Sequence, residues 1–189
     1  EYESLWAAAQ DLAIPLSLHI GTNRLGVGDE HDHVSQKWMA TATYKANKDF
    51  WVRMSLGSII LSGVFERYPK LQVGSVEHGL SWVPYFLDRL DYNYTQRIPN
   101  VSDYRFKDHA LPSDFFHSNV FVGFQEDAVG IRMRDIIDVD SMQWGSDYPH
   151  RESTFPRSRE ILENILADCT EEEKAKIVGG NCARIYRLD

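Results

Sequence analysis

Four short apolar runs, separated by segments of helical periodicity, constrain the fold of this chain more than any other feature. The runs lie at residues 14–20, 71–76, 120–124 and 141–145. No Asn-Gly or comparable hairpin signal joins two of them, so neighbouring runs are expected to pair in parallel through helical crossovers. The pattern therefore predicts an α/β fold with a buried parallel sheet.

The length of the chain indicates how much of such a fold it forms. A complete eight-stranded βα barrel takes about 250 residues, whereas this chain places four strands in 189 residues. We infer a TIM-type (β/α)8 barrel, of which the chain covers about strands 5 to 8 with their helices. Because a helical segment at residues 2–12 precedes the first strand, we expect residues 1–189 to be a single partial domain whose N-terminal half is missing.

Composition argues against several classes of partner. The chain has 20 basic and 28 acidic residues, a net charge of −8 and no basic stripe, so nucleic acid is not expected to bind. It lacks the roughly 18 consecutive apolar residues of a membrane span and the sections of a signal peptide, which predicts a cytoplasmic protein with no membrane partner. Cys169 and Cys182 form no CxxC pair, so neither a disulfide framework nor a thiolate zinc site is expected.

Three residues that can carry chemistry stand at or just beyond the ends of predicted strands. His19 and His78 each stand near the end of a strand-like run, and Asp147 follows the fourth run. The carboxyl ends of barrel strands converge on one rim, and imidazole and carboxylate groups are common ligands of divalent metals. A simpler interpretation stays open for each residue: the histidine rings could be satisfied by neighbouring carbonyl groups, and Asp147 could cap the following turn.

Other candidate residues have more ordinary interpretations. His31-Asp32-His33 falls in a long polar loop at residues 21–45, and we favour a solvated loop over a substrate lid. His150 is interpreted as a turn residue, although it could line the same rim. Glu77 precedes His78, and a regular pleat would direct its side chain towards the helical layer.

These motifs together resemble a known family. The segments around His19 and His78, followed by Gly145-Ser146-Asp147-Tyr148-Pro149-His150, are similar in content and order to the C-terminal half of the amidohydrolase-2 family. This branch of the amidohydrolase superfamily includes aminocarboxymuconate-semialdehyde decarboxylase and resorcylate-type decarboxylases. The closing segment at residues 181–186 also resembles the usual end of the family.

The resemblance implies roles for three residues. It makes His19 the metal ligand of strand five, His78 the catalytic histidine of strand six, and Asp147 the strand-eight carboxylate that binds metal or moves a proton. The implied cofactor is a divalent metal, with zinc the first expectation and manganese the second. The implied function is decarboxylation of a small aromatic or unsaturated carboxylic acid, by a protein that could be a homo-oligomer.

Two other functions stay open at this point. Metal-bound hydroxide on the same scaffold could hydrolyse a lactone, ester or amide. Alternatively, the chain could be a non-catalytic fragment that needs a partner, since half a barrel exposes strand edges and apolar surface. Family members also carry a His-x-His or Glu-x-His pair on strand one, and we expect such a strand upstream of residue 1.

Overall fold

The sheet consists of four parallel strands in sequential order. The structure is a computed structural model, and it describes residues 2–20, 41–97 and 105–188. The strands are β1 (Leu16–His19), β2 (Val73–Val76), β3 (Val120–Phe124) and β4 (Met142–Trp144), and the sheet order is β1-β2-β3-β4. Each strand pairs in parallel with the next. The predicted parallel α/β arrangement is therefore confirmed.

Helices connect and cover these strands. None of the helices in the described residues is long and apolar enough to cross a membrane. The α-helices are α1 (Glu3–Asp11), α2 (Ala42–Ala46), α3 (Phe50–Leu61), α4 (Val64–Arg67), α5 (Val83–Tyr92), α6 (Pro112–Asn119), α7 (Ala128–Arg132), α8 (Arg134–Ile137), α9 (Ser158–Ile165), α10 (Glu171–Ala175) and α11 (Asn181–Tyr186).

Local chemistry moves several boundaries away from the predicted ones. The loop predicted to end at residue 45 ends earlier, because the Thr41 side chain accepts a hydrogen bond from the Tyr44 amide and starts α2. The helical periodicity of residues 47–68 is divided between two helices, because Gly63 adopts a left-handed φ of 70° between α3 and α4. Ser81 stands before α5 in the sequence but does not cap that helix, since the Ser81 hydroxyl donates to Asp127 instead.

The two faces of the sheet have different surroundings. Side chains of Val73, Val122 and Met142 on one face belong to the hydrophobic core beneath the helices. Residues in register on the other face include Ser17, Gly74 and Phe121. There the Phe121 ring lies 5.8 Å from the Tyr186 ring, and the Tyr186 hydroxyl is 3.2 Å from the Ser17 Oγ. The last helix therefore covers part of the second face.

Gly74 allows the Phe121 ring to approach the neighbouring strand closely. A Cβ at position 74 would stand 2.1 Å from the Phe121 ring, so Gly74→Ala should destabilise the fold by about 1–3 kcal/mol. Thermal unfolding of the full-length protein measures the effect. Gly145→Ala is the matched control, because nothing lies within 4 Å of a Cβ built there. Equal melting temperatures for the two variants would contradict this account of the packing.

Candidate active site

His19 ends β1 and uses both ring nitrogens at the carboxyl rim of the sheet. Its Nδ1 lies 2.7 Å from the Ile20 carbonyl oxygen, and its Nε2 lies 2.8 Å from Glu77 Oε1. Partial burial lowers the pKa of His19, but the two acceptors outweigh it and the pKa is raised above its usual value. The charge of Asp147 acts in the same direction, so His19 and Asp147 lie within electrostatic range of each other. The His19 ring therefore takes up a second proton more readily than an unperturbed histidine does.

Glu77 lies on this rim, and its predicted direction towards the helices is wrong. Strand β2 ends at Val76, and Glu77 has a φ of 69°, which breaks the alternation of the pleat. The turn directs the Glu77 carboxylate to His19, which ends the adjacent strand β1. A non-glycine residue in this region of φ costs about 1 kcal/mol or more, and such residues cluster at functional sites.

His78 occupies a buried position behind the rim. Its side chain is 7% exposed, and its Nδ1 lies 3.1 Å from Ser75 Oγ. Burial, followed by the charges of Lys48 and His19, lowers the pKa of His78 to about 4. The imidazole is therefore neutral at pH 7, and in that state it accepts a proton more readily than it donates one.

Asp147 follows β4 and turns into the rim. It has a φ of 61°, and its side chain is 11% exposed. Its Oδ1 accepts a hydrogen bond from His150 Nδ1 at 2.7 Å, while the His150 amide donates to the Asp147 carbonyl at 2.8 Å. His150 is thus the turn residue that was expected, and its ring also contacts the rim carboxylate.

The side chains at the rim form a set of metal-type donors. One ligand atom from each of Glu77, Asp147 and His150 lies within 4.8 Å of the others, and His19 Nε2 joins the set through Glu77. Oxygen and imidazole nitrogen donors suit zinc and manganese, so the residues fit a divalent ion. The structure brings His19 and Asp147 to one rim, whereas His78 directs Nδ1 to Ser75. His31-Asp32-His33 lies outside the described residues.

Asp127 fixes the loop that carries His78. Its Oδ2 accepts from the amides of Leu80 and Ser81 at 2.7 and 2.9 Å, and its Oδ1 accepts from the Gly130 amide at 2.8 Å. Burial raises the pKa of Asp127, but its hydrogen bonds outweigh that effect and leave the pKa below its usual value. The carboxylate therefore ties the turn after β2 to the start of α7.

Removal of the Asp127 carboxylate should have a large effect on stability. Asp127→Ala would leave three amide donors without their acceptor and remove the N-cap of α7, which should cost about 3–5 kcal/mol. Asp127→Asn keeps one acceptor oxygen and should lose about half as much. Urea unfolding of the full-length protein measures both losses. A change below about 1 kcal/mol in the alanine variant would show that these bonds do not hold the loop.

Comparison with known proteins decides the family. A family model described as Amidohydrolase matches residues 1–188. The chain belongs to the amidohydrolase family. The resemblance inferred from the rim motifs is thereby confirmed.

Solved structures confirm the amidohydrolase barrel fold. A 5-carboxyvanillate decarboxylase from Sphingomonas paucimobilis matches with a TM-score of 0.75 and 23% identity, covering 98% of this chain and 52% of that one. A dihydroxybenzoic acid decarboxylase from Polaromonas sp. JS666, solved with manganese and 2-nitroresorcinol, has a TM-score of 0.70 and 20% identity, covering 99% and 54%. A 2,6-dihydroxybenzoate decarboxylase from Rhizobium has a TM-score of 0.70 and 18% identity, covering 100% and 55%. This amidohydrolase chain therefore spans about half the length of each.

The sequence-based assignment of ligands did not include two residues at the rim, although His150 had been named as a residue that could line it. Glu77 directly follows β2, whereas His150 lies six residues after the end of β4, and each segment departs from regular backbone geometry, near Gly79 or at Asp147. The glycine at position 79 was a signal in the sequence for a sharp turn close to Glu77, and in the structure its φ is 76°. Glu77 lies close to Asp147 because the segments after β2 and β4 both fold over the rim of the amidohydrolase sheet.

Proposed function

We propose that the full-length protein is a metal-dependent carboxy-lyase that removes carbon dioxide from a small aromatic or unsaturated carboxylic acid. The observation that carries this proposal is the meeting of His19, Glu77 and Asp147 at the carboxyl rim of an amidohydrolase fold. The three solved proteins named above support it, because each is a decarboxylase of an aromatic acid.

His19 and Asp147 are the proposed metal ligands within the described residues. Zinc suits the two donors, and manganese is supported by the Polaromonas structure, which contains that ion. When bound, a divalent ion supplies a Lewis acid that polarises a substrate oxygen. Catalytic zinc normally has three protein ligands. We propose that a strand in the other half of the barrel supplies further ligands.

His78 and Asp147 are the proposed carriers of the proton. Decarboxylation breaks the bond between the carboxylate carbon and the carbon that bears it. The electron pair remains on the second carbon, which takes up a proton as carbon dioxide leaves. His78 is neutral at pH 7, so it accepts a proton before it delivers one. Asp147 is hydrogen-bonded to His150, whose side chain is 65% exposed and connects the carboxylate to solvent.

Assay of released carbon dioxide tests the proposal. The full-length protein, loaded with zinc or with manganese, would be incubated with aromatic and unsaturated carboxylic acids, and with esters, lactones and amides of the same size. Release of carbon dioxide and the decarboxylated product supports the proposal. Hydrolysis products without gas would replace it by metal-dependent hydrolysis. The absence of both products would favour a non-catalytic role. A cytoplasmic location and a homo-oligomeric state stay predictions.

A further inference from the structure

We infer that Glu77 supplies a third protein ligand, a carboxylate oxygen, to the cation that His19 and Asp147 are proposed to bind. The inference rests on the proposed metal dependence and extends it. The family resemblance assigns roles to His19, His78 and Asp147, and it assigns none to Glu77. The position of the Glu77 carboxylate supports this additional role.

Glu77 is the residue that links the two proposed ligands in space. One of its oxygens lies 2.8 Å from His19 Nε2, and its carboxylate lies within 4.8 Å of the ligand atoms of Asp147 and His150. Ligands about 2.0–2.2 Å from a common zinc ion lie up to about 4.4 Å apart, so only small side-chain movements are required. A cation between His19 and Asp147 therefore lies within reach of Glu77.

Charge also favours a cation at this place. Two carboxylates separated by a few ångströms repel each other, and the repulsion is relieved when positive charge lies between them. Glu77 and Asp147 have side-chain exposures of 17% and 11%, so water screens them incompletely. Two carboxylates and one neutral imidazole carry a charge that balances a divalent cation.

The ring nitrogen of His19 that Glu77 contacts indicates whether Glu77 binds the cation or only orients His19. A carboxylate that only orients a ligating histidine bonds to the ring nitrogen that faces away from the metal. In His19 that function already belongs to the Ile20 carbonyl, which lies 2.7 Å from Nδ1. Glu77 instead contacts Nε2, the nitrogen on the opposite side of the ring from that carbonyl. We expect the cation to replace the proton between Nε2 and Glu77 and to keep both as neighbours.

A metal titration without substrate tests the inference. Mn²⁺ would be added to the metal-free full-length protein and to Glu77→Gln, and bound ion would be followed by the loss of the free-ion electron paramagnetic resonance signal. We expect Glu77→Gln to weaken Mn²⁺ binding at least about 10-fold and to change the spectrum of the bound ion. Glu77→Asp keeps the carboxylate and should recover part of the affinity. Glu152→Gln is the matched control, because Glu152 is exposed and pairs with Lys45.

A double substitution separates a ligand from a positioning residue. If Glu77 binds the cation itself, Glu77→Gln should weaken Mn²⁺ binding further in a His19→Ala background, with the Mn²⁺ concentration raised until the single His19→Ala variant binds the ion measurably. If Glu77→Gln has no effect in that background, Glu77 acts through His19 and the inference is overturned. Unchanged affinity of a folded Glu77→Gln protein, with a wild-type melting temperature, would also overturn it. The Mn²⁺ titration uses no substrate, so its result stands even if the protein does not release carbon dioxide. In the same way, release of carbon dioxide would stand even if Glu77 did not bind the ion.

Discussion

Asp147→Ala in the full-length protein should remove the bound divalent metal and reduce the release of carbon dioxide to the background rate. Asp147 supplies a carboxylate whose side chain is only 11% exposed, and its loss leaves His19 and Glu77 with one anionic partner fewer. Loss of a residue that merely orients a ligand costs about 10–100-fold in metal affinity, so loss of a ligand should cost more. Metal content after dialysis measures the effect, and His19→Ala should act in the same direction.

Two observations would contradict this assignment of Asp147 and His19. Asp88→Ala is the control, since the Asp88 side chain is 70% exposed on α5, and it should retain metal and activity. If Asp147→Ala or His19→Ala retained the metal content of the unchanged protein, that residue would be removed from the ligand set. If Asp88→Ala lost metal to the same extent, general destabilisation would explain the loss.

His78→Asn should slow the release of carbon dioxide by about 10²–10⁴-fold, the range for loss of a general acid or base, while metal content stays unchanged. The expected separation of rate from metal content follows from the geometry, because His78 Nδ1 bonds to Ser75 and not to a rim carboxylate. His117→Asn is the control, since His117 is exposed on α6. A slow variant that also lacked metal would assign His78 to the metal site instead.

Burial of neutral His78 also predicts a dependence of folding stability on pH. The unfolded chain takes up a proton on this ring below its usual pKa of about 6.5, whereas the folded protein does so only near pH 4. Stability should therefore fall as the pH drops from about 6.5 to 4, by up to about 3 kcal/mol, and this contribution should be constant above pH 7. Urea unfolding of the metal-free protein and of His78→Asn measures it. Parallel pH profiles would contradict the burial of a neutral ring.

Strands and the family could be predicted from this sequence because the signals are local. The run Val120–Phe124 is apolar between polar neighbours, and the strand has those bounds in the structure. Thr170 and Glu173 have the spacing of a capping box in the sequence, and both hydrogen bonds of the box are present at the start of α10. Gly145-Ser146-Asp147 and the two strand-end histidines carried the family resemblance, which the family match confirmed.

The rest of the site depends on contacts between distant segments. Asp127 bonds to amides that are 46 and 47 residues away, and its own surroundings in the sequence resemble an ordinary helix cap. Glu77 was assigned to the wrong side because a regular pleat was assumed where the backbone has a positive φ. The roles of His19, His78 and Asp147 in metal binding and catalysis stay predictions until the substitutions described above are measured.

The hydrogen bond between Ser17 and Tyr186 connects positions that are 169 residues apart. Proteins are synthesised from the amino terminus, so β1 leaves the ribosome long before the helix that covers its second face. Contacts of such large sequence separation form late and slow the folding of a domain. The second face of β1 therefore stays uncovered by this helix until residue 186 has been synthesised, and a strand surface exposed for that long favours aggregation.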